Sequence, residues 1–212
     1  MELFHTDRPV LKVKFNVNSD EEEATEVQIE NRIEEKVDTK GLTKLATLCT
    51  DARLSDFIDF YSIYNGFTLG TVVLPKNSVK KALLKQMPVS DLTKFTEQYL
   101  PKGKWAWTID LNKTKELYRS EHKWLAFAEV DGGPACLTIF LDGENAGKVF
   151  LVNPQPHFNV LKPIAKTYND LLERIAKDPA AFFKLTKAYI TIVWKDKQNY
   201  GHVPIEYIDN SW

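Results

Sequence analysis

Cysteine is scarce in this chain of 212 residues: Cys49 and Cys136 are the only two, and they form no C-x-x-C pair. Neither a disulfide framework nor a zinc knuckle is therefore expected, and a reducing compartment is the simpler assumption. Long apolar runs are missing too. No stretch approaches 18 consecutive apolar residues, and the opening MELFHTDRPVLKVKF has no basic start followed by an apolar core. The expectation is a soluble, cytosolic protein with no membrane span. Net charge is close to nil, −1 at neutral pH, which argues against a protein built to coat nucleic acid.

Catalytic patterns are equally thin. The four histidines, His5, His122, His157 and His202, form no i, i+4 pair and sit near no cysteine cluster, so no metal or other cofactor is expected. The G-x-S-x-G elbow and the Walker loop are absent. Two carboxylate pairs, Glu129 with Asp131 and Asp142 with Glu144, could in principle act as acid and base for glycoside hydrolysis. Both flank turns, however, where Asp before Gly already has a structural reason to be present. The chain is therefore read as a non-enzyme.

What the sequence does contain is a core-forming stretch from Trp124 to Ala176. The runs Trp124 to Val130, Ala135 to Leu141 and Lys148 to Val152 are rich in aromatic and β-branched residues and are divided by Asp131-Gly132-Gly133 and by Asp142-Gly143 through Gly147. That spacing predicts a three-stranded antiparallel meander. Thr167 is placed to cap a helix whose apolar positions Tyr168, Leu171, Leu172, Ile175 and Ala176 follow i, i+3, i+4, i+7, i+8. A meander covered by helices is an α+β fold.

Further elements follow from the same periodicities. Leu11, Val13, Phe15 and Val17 alternate as a strand would. The acidic run from Asp20 to Asp38 fits helix or strand. Gly41 interrupts, and a short helix carrying Leu42, Leu45, Ala46 and Cys49 is expected after it. A second helix spans Ser55 to Tyr64, with Leu54, Phe57, Ile58 and Tyr61 on one face and Asn65-Gly66 as its stop. Phe67 to Leu74 reads as a strand. Ser90 is placed to cap a helix bearing Leu92, Phe95 and Tyr99 that ends at Leu100-Pro101. Trp105-Ala106-Trp107 reads as a strand with both indoles on one face, packed at least in part on the core. Asp178-Pro179 stops the main helix, another helix is expected over 180–189, and the tail holds one strand-like run.

The order of these features resembles the SUKH superfamily, which includes yeast regulators of cell-wall glucan synthesis and many bacterial immunity proteins. The matching features are Trp124 on its strand, Gly132-Gly133, Asp142, Gly147, His157, the helix from Thr167 and, upstream, Asn65-Gly66 after a helix. Family members usually have a polar residue straight after the Gly-Gly pair, where this chain has Pro134. The resemblance covers roughly residues 54–176 and implies one SUKH-like domain over 1–212, with an extension at 1–53, a basic central insertion from Lys76 to Lys123, and a C-terminal addition at 177–212.

The function implied is stoichiometric protein binding, chiefly as a cytosolic immunity protein that occludes a cognate toxin, often a nuclease. The alternative is a regulatory scaffold of the cell-wall-synthesis type. Against a basic nuclease cleft, carboxylates would speed association, so Asp131, Asp142 and Glu144 are the candidate partner-binding residues, with Asn65 and His157 behind them. A lesser reading is single-stranded nucleic-acid binding, because Lys94, Lys102, Lys104 and Lys113 surround Tyr99, Trp105 and Trp107.

Overall fold

The computed structural model describes residues 10–15, 23–34, 36–73, 82–110, 115–118, 122–130, 133–153, 162–178, 181–182, 185, 190–193 and 200–203. In chain order the elements are strands β1 (Val10–Phe15) and β2 (Glu23–Ile33), helices α1 (Thr39–Leu48) and α2 (Ser55–Ile63), and strands β3 (Phe67–Val73) and β4 (Leu84–Gln86). Helices α3 (Leu92–Glu97), α4 (Ala106–Asp110) and α5 (Lys115–Tyr118) follow, then strands β5 (Trp124–Val130), β6 (Ala135–Phe140) and β7 (Val149–Val152). Helix α6 (Tyr168–Lys177) and strands β8 (Ile190–Val193) and β9 (Tyr200–Val203) complete the series. Strands β1 to β7 form one antiparallel sheet in sequence order, and β8 pairs with β9 in a separate hairpin. The fold is α+β.

The acidic segment that periodicity left open is a strand. β2 pairs with β1 through Gln28 opposite Val10 and with β3 through Ile29 opposite Val72, and a register shift falls between Glu30 and Arg32. The tail likewise contributes two strands rather than one. Gly41 does not interrupt a helix but lies in its first turn, because Asp38 accepts the Gly41 N–H at 3.0 Å and starts α1 at Thr39. A side chain at Gly41 would run into Asp38 Oδ2 and Val89 Cγ1, at 2.5 and 2.7 Å from an added Cβ.

The basic insertion is part of the sheet. Its strand β4 lies between β3 and β5, with Leu69 opposite Leu84 and Gln86 opposite Ala128. Its helices roof one face of the meander. Tyr118 on α5 meets Trp124 edge-on at 5.0 Å, lies against Phe140 at 5.4 Å and hydrogen bonds Thr138 Oγ1. The opposite face is closed by α2 and α6, where Phe57 makes edge contacts with Tyr61, Phe127 and Tyr168 at 5.2, 5.4 and 5.1 Å. Every residue of β6 and β7 is consequently buried. Cover on both faces explains why these strands read as near-continuous apolar runs instead of alternating.

Polar groups tie the two sides of the sheet to its helices. Gln86, 2% exposed, accepts a hydrogen bond from the Tyr168 hydroxyl at 2.7 Å, and the Tyr61 hydroxyl donates to the Met87 carbonyl at 2.8 Å. Thr167 accepts the Asp170 N–H at 3.1 Å and caps α6, whose buried residues are Tyr168, Leu171 and Ile175. Ala176, expected on the same face, is exposed. Of the helix expected over 180–189, most lies outside the described residues. Asp178 accepts the Ala181 N–H at 2.8 Å, an N-cap at the place where that helix should start, and Phe182 is buried.

Candidate functional site

The five residues singled out by sequence are not gathered at one place. Asp131 and His157 lie outside the described residues. The ladder pair Val130–Ala135, which closes the hairpin containing Asp131, is at one end of β6. Asp142 follows Phe140 at the other end, about 17 Å away for a six-residue strand. Asp142 is half-exposed and locally engaged: its Oδ1 lies 2.9 Å from His122 Nδ1 and accepts the Lys123 N–H at 3.1 Å. Glu144 is exposed in the same loop.

Asn65 is held by the fold. Its Oδ1 accepts the Val89 N–H at 3.0 Å, and its own N–H donates to the Glu34 carbonyl at 2.6 Å. Gly66 beside it has φ +117°, and a Cβ there would sit 2.7 Å from the Gln86 carbonyl oxygen. The Asn-Gly pair thus ends α2 and presses β3 against the end of β4, which needs a residue without a side chain in a left-handed conformation.

The place where chemistry-bearing side chains do converge is a cleft of about 340 Å³ between α3, the turn before α4, and the β5–β6 hairpin. The turn comes from local hydrogen bonding: Gly103 N–H donates to Leu100 O at 2.8 Å, and Trp105 N–H donates to Gln98 O at 2.7 Å. Trp105 and Trp107 therefore stand at the start of a helix, not on a strand, and α3 ends at Glu97, three residues before Leu100. Their rings meet edge-on at 6.4 Å. Trp105 is half-buried and faces the cleft, while Trp107 is 43% exposed, so the indoles do not share one buried face.

Lys104 Nζ lies 4.3 Å from the centroid of the Trp105 ring, within the range of a cation–π contact. Asp91 and Lys94 line the α3 side of the cleft, and Glu129 lines the β5 side. Met87 and Phe95, both largely buried, add apolar wall. The ensemble can stack and pair with a long side chain: an aromatic face, carboxylates, ammonium groups and an apolar floor within one recess.

Other reactive groups serve the core. Cys49 and Cys136 are buried free thiols. Burial pushes the Cys49 thiol up to about 12 and raises Cys136 further. Burial likewise raises Tyr61, Tyr118 and Tyr168, whose hydroxyls are committed to internal hydrogen bonds. Tyr99, counted from sequence among the aromatics of a nucleic-acid surface, is 2% exposed and has no face to offer a base. Among the described residues, no group of three or more His, Cys, Asp or Glu is placed to hold a metal, and no helix is long and apolar enough to cross a membrane.

Sequence reasoning noted Trp105, Trp107 and the surrounding lysines but did not assemble the cleft. The missing signal was the Gly103 turn, which brings Lys104 and Trp105 back over α3. A scan against protein-family models and a search of curated proteins both find no match for the chain.

Proposed function

We propose that the chain is a protein-binding module without chemistry of its own, and that its docking surface is centred on Trp107 and the adjoining cleft. The observation that carries this reading is Trp107 itself: a large indole 43% exposed, braced edge-on by a second tryptophan at the rim of a recess. A rigid exposed tryptophan next to a pocket is the side-chain type that dominates binding energy at protein interfaces. The resemblance to SUKH proteins supports a specific version, an immunity protein that occludes a cognate toxin in the cytosol. Asp142 and Glu144, at the far end of β6, would then steer a basic partner at longer range. Regulatory scaffolding of the cell-wall type is the alternative use of the same surface.

The test is complex formation with the product of a neighbouring toxin-like gene, measured by calorimetry for the wild type and Trp107→Ala. The reading expects a stoichiometric complex that weakens at least about tenfold in the variant, as an interface anchor requires, with an unchanged melting temperature. An unaltered affinity would remove Trp107 as the docking centre, and no complex would remove the immunity reading. Binding of single-stranded oligonucleotides that falls steeply with salt would favour the nucleic-acid reading instead.

A further inference from the structure

We propose that the cleft is a slot for one arginine side chain of the protein partner, and that Lys104 occupies it as an internal stand-in until the partner arrives. The inference rests on the protein-binding reading and specifies what the partner presents. Lys104 already shows that the Trp105 face takes a cation, since its ammonium lies 4.3 Å from the ring centroid. That ammonium is on an exposed residue with a long flexible stem, so it can leave for water at little cost.

Charge then decides the class of occupant. Two carboxylates, Asp91 and Glu129, and two ammonium groups, Lys94 and Lys104, line the recess. With Lys104 displaced, one negative charge is left over, and a single cation restores the balance. An anion would meet the electron-rich face of the indole and that surplus carboxylate. Among cations, a guanidinium fits better than an ammonium, because its plane stacks on the indole while its edge offers a fork of donors to a carboxylate. The apolar wall of Met87 and Phe95 suits the methylene stem that a long basic side chain lays down.

The experiment follows the Trp105 indole N–H by NMR, assigned through Trp105→Phe, during titration with N-acetyl-L-arginine methylamide and, separately, with the corresponding glutamate derivative. A saturable shift of Trp105 with the arginine derivative, a dissociation constant about threefold lower in Lys104→Ala, and weaker binding in Asp91→Asn are expected. A saturable shift with the glutamate derivative alone, or no tightening in Lys104→Ala while its spectrum stays folded, would overturn the proposal. Because no partner is present in this titration, a silent Trp105 ends the arginine slot and leaves the Trp107 experiment to decide protein binding. Arginine binding in a chain that forms no complex would uphold the slot and end the protein-binding reading.

Discussion

Asp51 grips Arg53 three times: its carboxylate accepts the Arg53 backbone N–H at 3.0 Å and two guanidinium nitrogens at 2.6 and 2.9 Å. The same guanidinium donates to the Gly143 carbonyl at 2.8 Å and so fastens the β6–β7 loop to the turn before α2. The side-chain hydrogen bonds from Arg53, followed by that from its backbone, hold the Asp51 carboxyl down at about 2. A depressed carboxyl stabilises the fold fully above its unfolded value of about 3.9, and the contribution is lost as pH falls through the folded value. The melting difference between wild type and Asp51→Asn should therefore be constant from about pH 8 to about pH 5 and shrink between about pH 4 and pH 2. A difference that instead changed between pH 6 and 8 would place the titrating group elsewhere.

Trp124→Ala removes an indole that is 8% exposed, stacked edge-on against Tyr118, and donating through Nε1 to the Tyr118 carbonyl at 3.2 Å. Loss of a buried tryptophan costs about 3–5 kcal/mol, a large share of the roughly 5–15 kcal/mol that holds a domain folded. Urea unfolding should show that loss as a lowered midpoint. A midpoint equal to wild type would mean that Trp124 is not part of the core.

Gly66→Ala should destabilise by about 1–3 kcal/mol, the usual range for a side chain forced into left-handed backbone, and the close Gln86 carbonyl leaves no room for relief. Amide hydrogen exchange is the sharper readout, because the strain falls where β3 meets β4. Protection should drop first at Phe67, Leu84 and Met87, and uniform loss across the sheet would contradict this placement.

Native thiols should be nearly inert. With burial raising Cys49 to about 12 and Cys136 further, almost no thiolate exists at pH 8. Iodoacetamide should label neither cysteine in the folded chain within hours and both in guanidinium within minutes. Rapid native labelling of one thiol would show that its side of the core opens readily.

The meander, α2, α6 and the N-terminal strand were legible because apolar spacing alone sets them: Tyr168, Leu171 and Ile175 can satisfy only a helix, and the glycine turns can divide only strands. What periodicity could not show is partnership. β4 is three residues long, too short to announce a pattern, yet it completes the sheet. Trp105-Ala106-Trp107 alternates like a strand, and only the turn hydrogen bonds to Gln98 and Leu100 make it a helix start. Asn65 looked available because polar side chains usually face water, whereas a backbone N–H 24 positions away claims it. Asp142 and the Asp131 hairpin looked like one edge because they are near in sequence, but a strand between them carries them apart.

The sheet is built from neighbours in sequence, but its cover is not. Tyr168 reaches back to Gln86, and the Asn169 N–H reaches the Asp56 carboxylate at 2.8 Å, a separation of 113 positions. A ribosome that has released everything up to β7 has therefore made the strands while the lid over Phe57 and Phe127 is still missing. Such a nascent chain exposes an aromatic surface until α6 emerges, which gives a chaperone a defined interval in which to bind. It also makes the order of assembly one of local strands first and distant closure last, so the slow step of folding should be the docking of α6.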